Sequence, residues 1–440
     1  MRHLIFTILT ITYTVLSAQI DSTEKAHLDP FDLSMEELLG ITVEEKSDFK
    51  LYGFINSNIE KVFQANHTLD IETPVKFSPI KNFHLYGQGK LAHHINILFN
   101  LSANETGFEL RNAYGEIKLW DALWIRAGKS YRNFGLYNDK LDQVPTFIGI
   151  EAPELFDTDH LFLSRTSDFM LHGLQYFRSG TLFYSLTTGN SEGNSLSNVT
   201  PIGADIRFKS EKKELIIGSS AYTSNIFKKA SSPSNSYKKQ SSHGGILPWM
   251  KNDKYQVYGG FIEKKIGQFL IQTEYWISPH KGRRDPIKVI DLIQNSQLTQ
   301  NQINKLTTYD NPSKDYTEMP ATSIIEHSNY VSQTFYVRCS YIFNSNKGQF
   351  IPYLFLDWMS NPEMIANPTF GGDNEAGLAD NGTFTKPSIG LLYRPINEVA
   401  IKLDGSLHSQ LTNNSRSLYP EIRLDFSFSF NALERLTKID

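Results

Sequence analysis

Residues 421–430, EIRLDFSFSF, put Ile422, Leu424, Phe426, Phe428 and Phe430 on one parity and Arg423, Asp425, Ser427 and Ser429 on the other. Successive side chains of a β-strand point to opposite faces, so this stretch is a strand with one apolar and one polar face. The apolar face meets a second sheet in a soluble sandwich, or lipid in a membrane barrel whose polar face borders water. The pattern recurs. In QFLIQTEYWIS, Phe269, Ile271, Tyr275 and Ile277 oppose Gln268, Gln272, Glu274 and Ser278. In VAIKLDGSLH, Val399, Ile401, Leu403 and Leu407 oppose Lys402, Asp404, Ser406 and His408, and in GADIRFK, Ala204, Ile206 and Phe208 oppose Asp205, Arg207 and Lys209. A face lined by charges of both signs is no dry core, because a lone buried charge is strongly penalised.

Connection lengths separate the two architectures. Strand pairs follow one another through tight polar turns, such as Ser179-Gly180, Glu211-Lys212-Lys213 and Ile396-Asn397-Glu398, whereas longer segments fall between the pairs: 133–167, 191–200, 225–252, 279–329, 360–385 and 411–419. Short turns at one end and long loops at the other are the signature of an outer-membrane barrel, and compact soluble domains keep most connections short. Counting back from the last strand, FHLYGQGKLAHHINILFNLSA reads as one long strand or two; two give 16. The expectation is an all-β transmembrane antiparallel up-and-down β-barrel over 49–430, of about 16 strands within a range of 14–18. Tyr131, Tyr222, Tyr275 and Trp358 stand near strand ends, where aromatic belts meet the lipid interface. Hydrophobic residues make up 40% of the 440-residue chain and mean hydropathy is -0.34, with no long apolar run past the N-terminus, which excludes a helical bundle in the membrane. A net charge of -4 gives no reason to expect nucleic acid. Cys339 is the only cysteine, so no intrachain disulfide holds the fold.

The ends carry separate signals. MRHLIFTILTITYTVLSAQ combines Arg2 and His3 with an apolar stretch and a small-residue site at Ser17-Ala18, a secretory signal over 1–18 cut before Gln19. A periplasmic segment, 19–48, follows; within it Ser34, Glu37 and Gly40 fit the cap and stop of a short helix at 32–43. NALERLTKID leaves a periplasmic C-terminal tail over 431–440.

LWIRAGKSYRNFGLYND, residues 123–139, is similar to the strand of phosphate-selective outer-membrane porins that ends in Gly-Lys or Gly-Arg and continues to Phe-Gly. The signal, the alternating strands and the aromatic closing strand extend this resemblance loosely over most of the chain. Asn133 stands where that family has proline, and the tail after Phe430 replaces a terminal aromatic residue. The resemblance implies a Gram-negative outer-membrane location, passive diffusion of small hydrophilic solutes or ions, anions such as phosphate among them, and a homotrimer. FDLSMEELLGITV, residues 31–43, resembles a segment near the mature N-terminus of TonB-dependent receptors and some plugless porins; strands begin near residue 49 with no plug-domain stretch before them, which disfavours a TonB-dependent transporter.

Inward parity selects pore-lining candidates: Arg126, Arg132, Asp205, Arg207, Glu274, Arg338, Lys402, Asp404, Arg423 and Asp425, with Arg394 beside them. Mixed signs suggest a transverse field across a water-filled constriction; the plainer reading is paired charges that brace the wall. Loop 133–167 is expected to fold inward and narrow the channel. The 279–329 connection holds Val289, Ile290, Ile293 and Leu306 in helical spacing and is expected as a packed loop. HExxH, GxSxG, P-loop and CxxC patterns are absent, so neither enzyme nor cofactor is expected. His93-His94, placed on a strand with rings on opposite sides, argues against a metal site. Asp373, Glu375 and Asp380 lack the spacing of a calcium hand. Two rival readings are a plugged barrel serving adhesion or recognition, and a secreted soluble β-sandwich that binds glycans.

Overall fold

In the computed structural model the chain is described over residues 49–63, 75–104, 107–150, 152–153, 166–189, 196–227, 247, 249–295, 298–311, 313, 315–363, 383–412 and 415–431. The expected signal at 1–18, the helix at 32–43, the Asp373–Asp380 loop and all of the C-terminal tail beyond Asn431 lie outside these residues.

Sixteen strands close on themselves. They are β1 (Phe49–Val62), β2 (Lys76–Ala92), β3 (Ile95–Asn104), β4 (Gly107–Trp120), β5 (Leu123–Tyr131), β6 (Thr166–Phe177), β7 (Gly180–Thr188), β8 (Leu196–Ser210), β9 (Leu215–Phe227) and β10 (Met250–Ile266). There follow β11 (Phe269–Arg284), β12 (His327–Tyr341, resumed as Phe343–Ser345), β13 (Gly348–Ser360), β14 (Thr383–Ile396), β15 (Val399–Thr412) and β16 (Ser415–Asn431). Each strand pairs antiparallel with its sequence neighbours, and β16 returns to β1 with Tyr52 opposite Asn431 and Val62 opposite Glu421. Closure gives every strand two partners, so no edge is left to satisfy in lipid. Both described ends, Phe49 and Asn431, lie at the rim of short turns.

The ambiguous segment is two strands, β2 and β3. His93-His94 occupies the turn between them, with ring centroids 4.6 Å apart, which corrects the expectation of opposed strand side chains. The pairing of β10 with β11 reaches Arg284, and β15 and β16 run to Thr412 and from Ser415, so the connections expected at 279–329 and 411–419 are shorter than the sequence pattern implied.

The alternating pattern settles which face is which. Ile206, Leu354, Ile389, Leu403, Ile422 and Phe428 are exposed on the outside, while Asp205, Lys402, Arg423, Asp425 and Ser427 are buried inside. At the short-turn rim, Trp120, Tyr176, Phe177, Phe269 and Tyr341 stand exposed as an aromatic band, with Phe269 and Tyr341 in edge contact at 4.9 Å. The barrel presents hydrocarbon with an aromatic rim outward, the surface a bilayer solvates. Tyr131 and Tyr222, expected in such a belt, instead point inward and are buried; their hydroxyl and ring serve the interior, described below.

Two connections form structure of their own. Residues 132–150 enter the barrel. Between β11 and β12, helices α1 (Pro286–Asn295) and α2 (Gln300–Leu306) pack Val289, Leu292, Ile293, Ile303 and Leu306 into a core with Leu247, Trp249, Met319 and Ile324. Thr299 caps α2 reciprocally: Gln302 N donates to Thr299 Oγ1 at 3.3 Å, and Thr299 N donates to Gln302 Oε1 at 2.9 Å. The expected packed loop is therefore a capped two-helix cluster.

Candidate functional site: the barrel interior and its inward loop

The sequence LWIRAGKSYRNFGLYND makes the entry of the loop intelligible. Gly128, at φ 116°, accompanies an irregularity in the β5–β6 pairing between Ala127 and Ser130. Beyond it, Phe134 is wholly buried on Trp276, ring centroids 4.4 Å apart. Gly135 adopts φ 62°, a conformation that glycine takes freely, and a Cβ there would collide with Glu274. The Phe-Gly pair is thus an anchor and a hinge: one side chain seats on the wall, and the next residue turns the chain against it.

From that anchor the loop is tied to three parts of the wall. Leu136 N donates to Glu274 Oε1 at 3.0 Å, Gly135 N to Ser220 Oγ at 3.1 Å, and Arg207 Nη2 to Gly135 O at 3.2 Å. Lys402 Nζ donates to Val144 O at 2.6 Å and Gly149 O at 3.0 Å, and Arg394 Nη2 to Pro145 O at 2.8 Å. On the far side, Tyr131 OH and Asn100 Nδ2 donate to Asp142 Oδ2 at 2.8 and 3.1 Å. Phe147, Ile148 and Ile150 are buried, whereas Asp139 is exposed and Asp142 half-buried.

The residues selected by parity divide into groups that do different things. Arg126 bonds Glu116 Oε2 through Nε at 2.9 Å and Nη2 at 2.7 Å, lies 4.2 Å over the Tyr114 ring and remains 19% exposed. His172 Nε2 meets the same Glu116 oxygen at 2.8 Å. Arg207 and Asp205 pair at 2.8 Å, with Arg207 also 3.5 Å from Asp139 of the loop. Glu274 receives Tyr336 OH at 2.6 Å and Trp276 Nε1 at 3.0 Å besides Leu136. Arg423 pairs with Glu60 and Glu421, and Asp425 accepts from Asn56 and Ser427. Asp404 accepts from Tyr353 OH at 2.8 Å. Arg132 lies past the end of β5, buried, its guanidinium 3.8 Å over Tyr222. Arg338 is buried among Phe355, Tyr137 and Tyr353. Lys402, Arg394 and Glu274 hold the loop, while Arg126 and Arg207 keep partial exposure to the interior.

Sequence reasoning passed over Glu116, His172, Asp139 and Asp142. Glu116 was recoverable: it lies as far before the Asp121 turn as Arg126 lies after it, and the two are register partners. Asp139 and Asp142 gave no such signal, because a loop has no parity.

Beneath the helical cluster, Ser278 Oγ lies 2.9 Å from His280 Nε2, and His280 Nδ1 2.7 Å from Asp253 Oδ2. These are the spacings of a hydrolytic triad. Ser278, however, is wholly buried and donates to Gln256 O at 2.8 Å, and His280 is sandwiched between Tyr255 and Tyr330 at 5.2 and 4.4 Å. A nucleophile needs an open face, and this hydroxyl has none. The set is a brace across β10, β11 and β12. Nearby, Arg284 makes a two-bond fork with Glu363, Nε to Oε1 at 2.6 Å and Nη2 to Oε2 at 2.7 Å, and Glu363 also receives Trp249 Nε1 and Ser328 Oγ. That fork ties three of the long connections together.

No protein-family model matches the chain, and no curated protein matches it. Solved structures do. The chain is similar to the anion-selective porin from Comamonas acidovorans, at 9% identity, TM-score 0.53, covering 88% of this chain and 100% of that one. It is likewise similar to the outer-membrane protein OmpT of Vibrio cholerae, at 9% identity, TM-score 0.50, with 88% and 100% covered. At such identity the likeness establishes the architecture: a closed 16-stranded antiparallel barrel of the porin type.

Proposed function

We propose that this chain is a passive-diffusion channel of a Gram-negative outer membrane, admitting small hydrophilic solutes without chemical turnover. The observation that carries the reading is the inward loop. It is pinned by Lys402 and Arg394 to one wall and by Tyr131 and Asn100 to the other, and it brings Asp139 and Asp142 into an interior whose partly exposed cations include Arg126, Arg207 and, near Asp142, Arg111. A wall of arginine facing a carboxylate loop imposes a transverse field, which orients dipolar solutes and sorts ions. Among the ten candidate residues, Arg126 and Arg207 are the ones we assign to selection. A modest preference for anions, phosphate included, rests on these two guanidiniums and on the resemblance of residues 123–139; a homotrimer rests on the resemblance alone.

The apolar cluster of α1 and α2, together with the packed loop, favours a second reading in which the barrel is plugged and serves recognition. Reconstitution into a planar bilayer separates the two. Ohmic steps with a reversal potential of anion sign support the channel, and silence from barrels that migrate as folded on cold SDS gels supports the plugged scaffold.

A further inference from the structure

Among the buried cations of the interior, Arg338 stands apart. Lys402 and Arg394 donate to loop carbonyls, Arg284 forks onto Glu363, and Arg423 pairs with Glu60 and Glu421. Arg338 is 1% exposed, and its Nε, Nη1 and Nη2 all lack a hydrogen-bond partner among the described residues. Its guanidinium lies 4.4 Å from the Phe355 ring, 5.4 Å from Tyr137 and 5.9 Å from Tyr353, so aromatic rings cover it while the donors themselves are unserved. Beside it on β12, buried Ser340 Oγ is also unpartnered.

Asp404 and Asp357 act on the guanidinium electrostatically, but neither accepts a hydrogen bond from it. Asp404 accepts from Tyr353 and Ser406, and Glu274 accepts from Leu136, Tyr336 and Trp276. The inward cations of β12, β14 and β15, namely Arg338, Lys386, Arg394 and Lys402, outnumber the inward acids Asp357 and Asp404 of β13 and β15. A buried guanidinium whose donors make no hydrogen bonds is destabilising even where carboxylates act on it from a distance, and ring faces recover only part of that loss.

We propose that Arg338 and Ser340 form an occluded binding site for a small inorganic anion of nitrate or halide size, held between the β12 wall and Tyr137 of the inward loop. The guanidinium edge offers parallel N–H donors to a planar oxyanion, and Ser340 adds a hydroxyl. Tyr137 touches Tyr336 at 5.8 Å and Phe147 at 5.3 Å, so the occupant sits behind the loop and strengthens its seating. This is a fixed structural site off any solute path, and it does not require the barrel to conduct. Gln272 Oε1, on the residue opposite Arg338 in the β11–β12 register, lacks a donor too; a water would serve that oxygen, whereas an anion would not.

The test uses the folded barrel in detergent and compares its heat-modification rate in sodium nitrate and in sodium gluconate, an anion too large to enter, at equal ionic strength. A ligand that binds only the folded state slows unfolding saturably, by about tenfold or more at concentrations well above its Kd. That slowing in nitrate, absent from Arg338→Met and kept by Lys254→Met, which removes an exposed outward lysine of β10, supports the site. Equal rates in the two salts, or an unchanged nitrate effect in Arg338→Met, overturns it. If Arg338→Met does not fold, crystals of the unaltered protein soaked in bromide decide: an anomalous peak beside Arg338 supports the anion, and ordered water there without bromide overturns it.

Discussion

Replacing both Lys402 and Arg394 with methionine removes two of the cationic tethers of the inward loop and leaves side chains of similar length in the wall. Three bonds vanish: Lys402 to Val144 O and Gly149 O at 2.6 and 3.0 Å, and Arg394 to Pro145 O at 2.8 Å. A hydrogen bond from a charged donor contributes about 1.5 kcal/mol or more net, so the gross loss is about 4.5 kcal/mol. Removing two buried charges relieves desolvation and returns part of this, about 1 to 2 kcal/mol by our estimate. The net of about 3 kcal/mol acts on seating of the loop rather than on the barrel, and raises the unseated population about a hundredfold. Single-channel recording should then show an open level interrupted by frequent transitions, and trypsin should cut at Lys140 faster than in the unaltered protein. Migration on cold SDS gels should stay that of a folded barrel, because β14 and β15 keep their backbone ladder. If a folded double variant shows unaltered open-channel noise and unaltered cleavage at Lys140, the tethers contribute nothing. The loop would then be held by its remaining ties: Phe134 on Trp276, Leu136 on Glu274, Gly135 with Ser220 and Arg207, and Asp142 with Tyr131 and Asn100.

Three further outcomes follow from the same geometry. Arg126→Gln and Arg207→Gln should each move the reversal potential in a salt gradient toward cations, and Asp139→Asn with Asp142→Asn should move it the opposite way; no movement in either pair would remove these residues from selection. Arg284→Met should leave Glu363 buried without its fork, a local penalty of about 3 kcal/mol or more, read as faster proteolysis between residues 286 and 326 with the barrel intact. Leu403→Arg, on the outer face, should lower folding stability in lipid by about 2 to 4 kcal/mol if the site lies near mid-bilayer, measured by denaturant titration into vesicles.

Strand parity was legible because it is a local property: EIRLDFSFSF and VAIKLDGSLH alternate with a period that only one backbone conformation satisfies, and Leu424 stands opposite Leu403 in the barrel as that alternation requires. Strand ends were less legible. The Ser-Pro-His-Lys stretch at 278–281 and the Gln-Leu-Thr stretch at 410–412 carry loop-like residues, yet the ladder continues through them, because neighbouring strands supply the hydrogen bonds whatever the side chains are. Tyr131 and Tyr222 were misread for a related reason. An aromatic near a strand end suits a lipid interface, but here Asp142 and Arg132 come from a loop whose path the strands do not encode.

Parity names Lys402, Arg338 and Arg423 as facing inward as surely as it names Arg126, and all four do face inward. Whether a charge meets solute depends on what else comes inside. Once residues 132–150 enter, Lys402 becomes a tether, Arg338 lies behind Tyr137, and Arg423 is neutralised between Glu60 and Glu421. Selectivity therefore follows not from the sum of inward arginines but from the few left beside the acidic edge of the loop. That dependence yields a sharp expectation. Arg423→Gln, which changes the interior charge by the same unit as Arg126→Gln, should leave the reversal potential unchanged while weakening the barrel, because it strands Glu60 and Glu421 in the closing seam of β1 and β16. Arg126→Gln should shift the potential and leave that seam alone. An equal shift from both would mean that the field is set by total interior charge, and that the loop does not screen the wall.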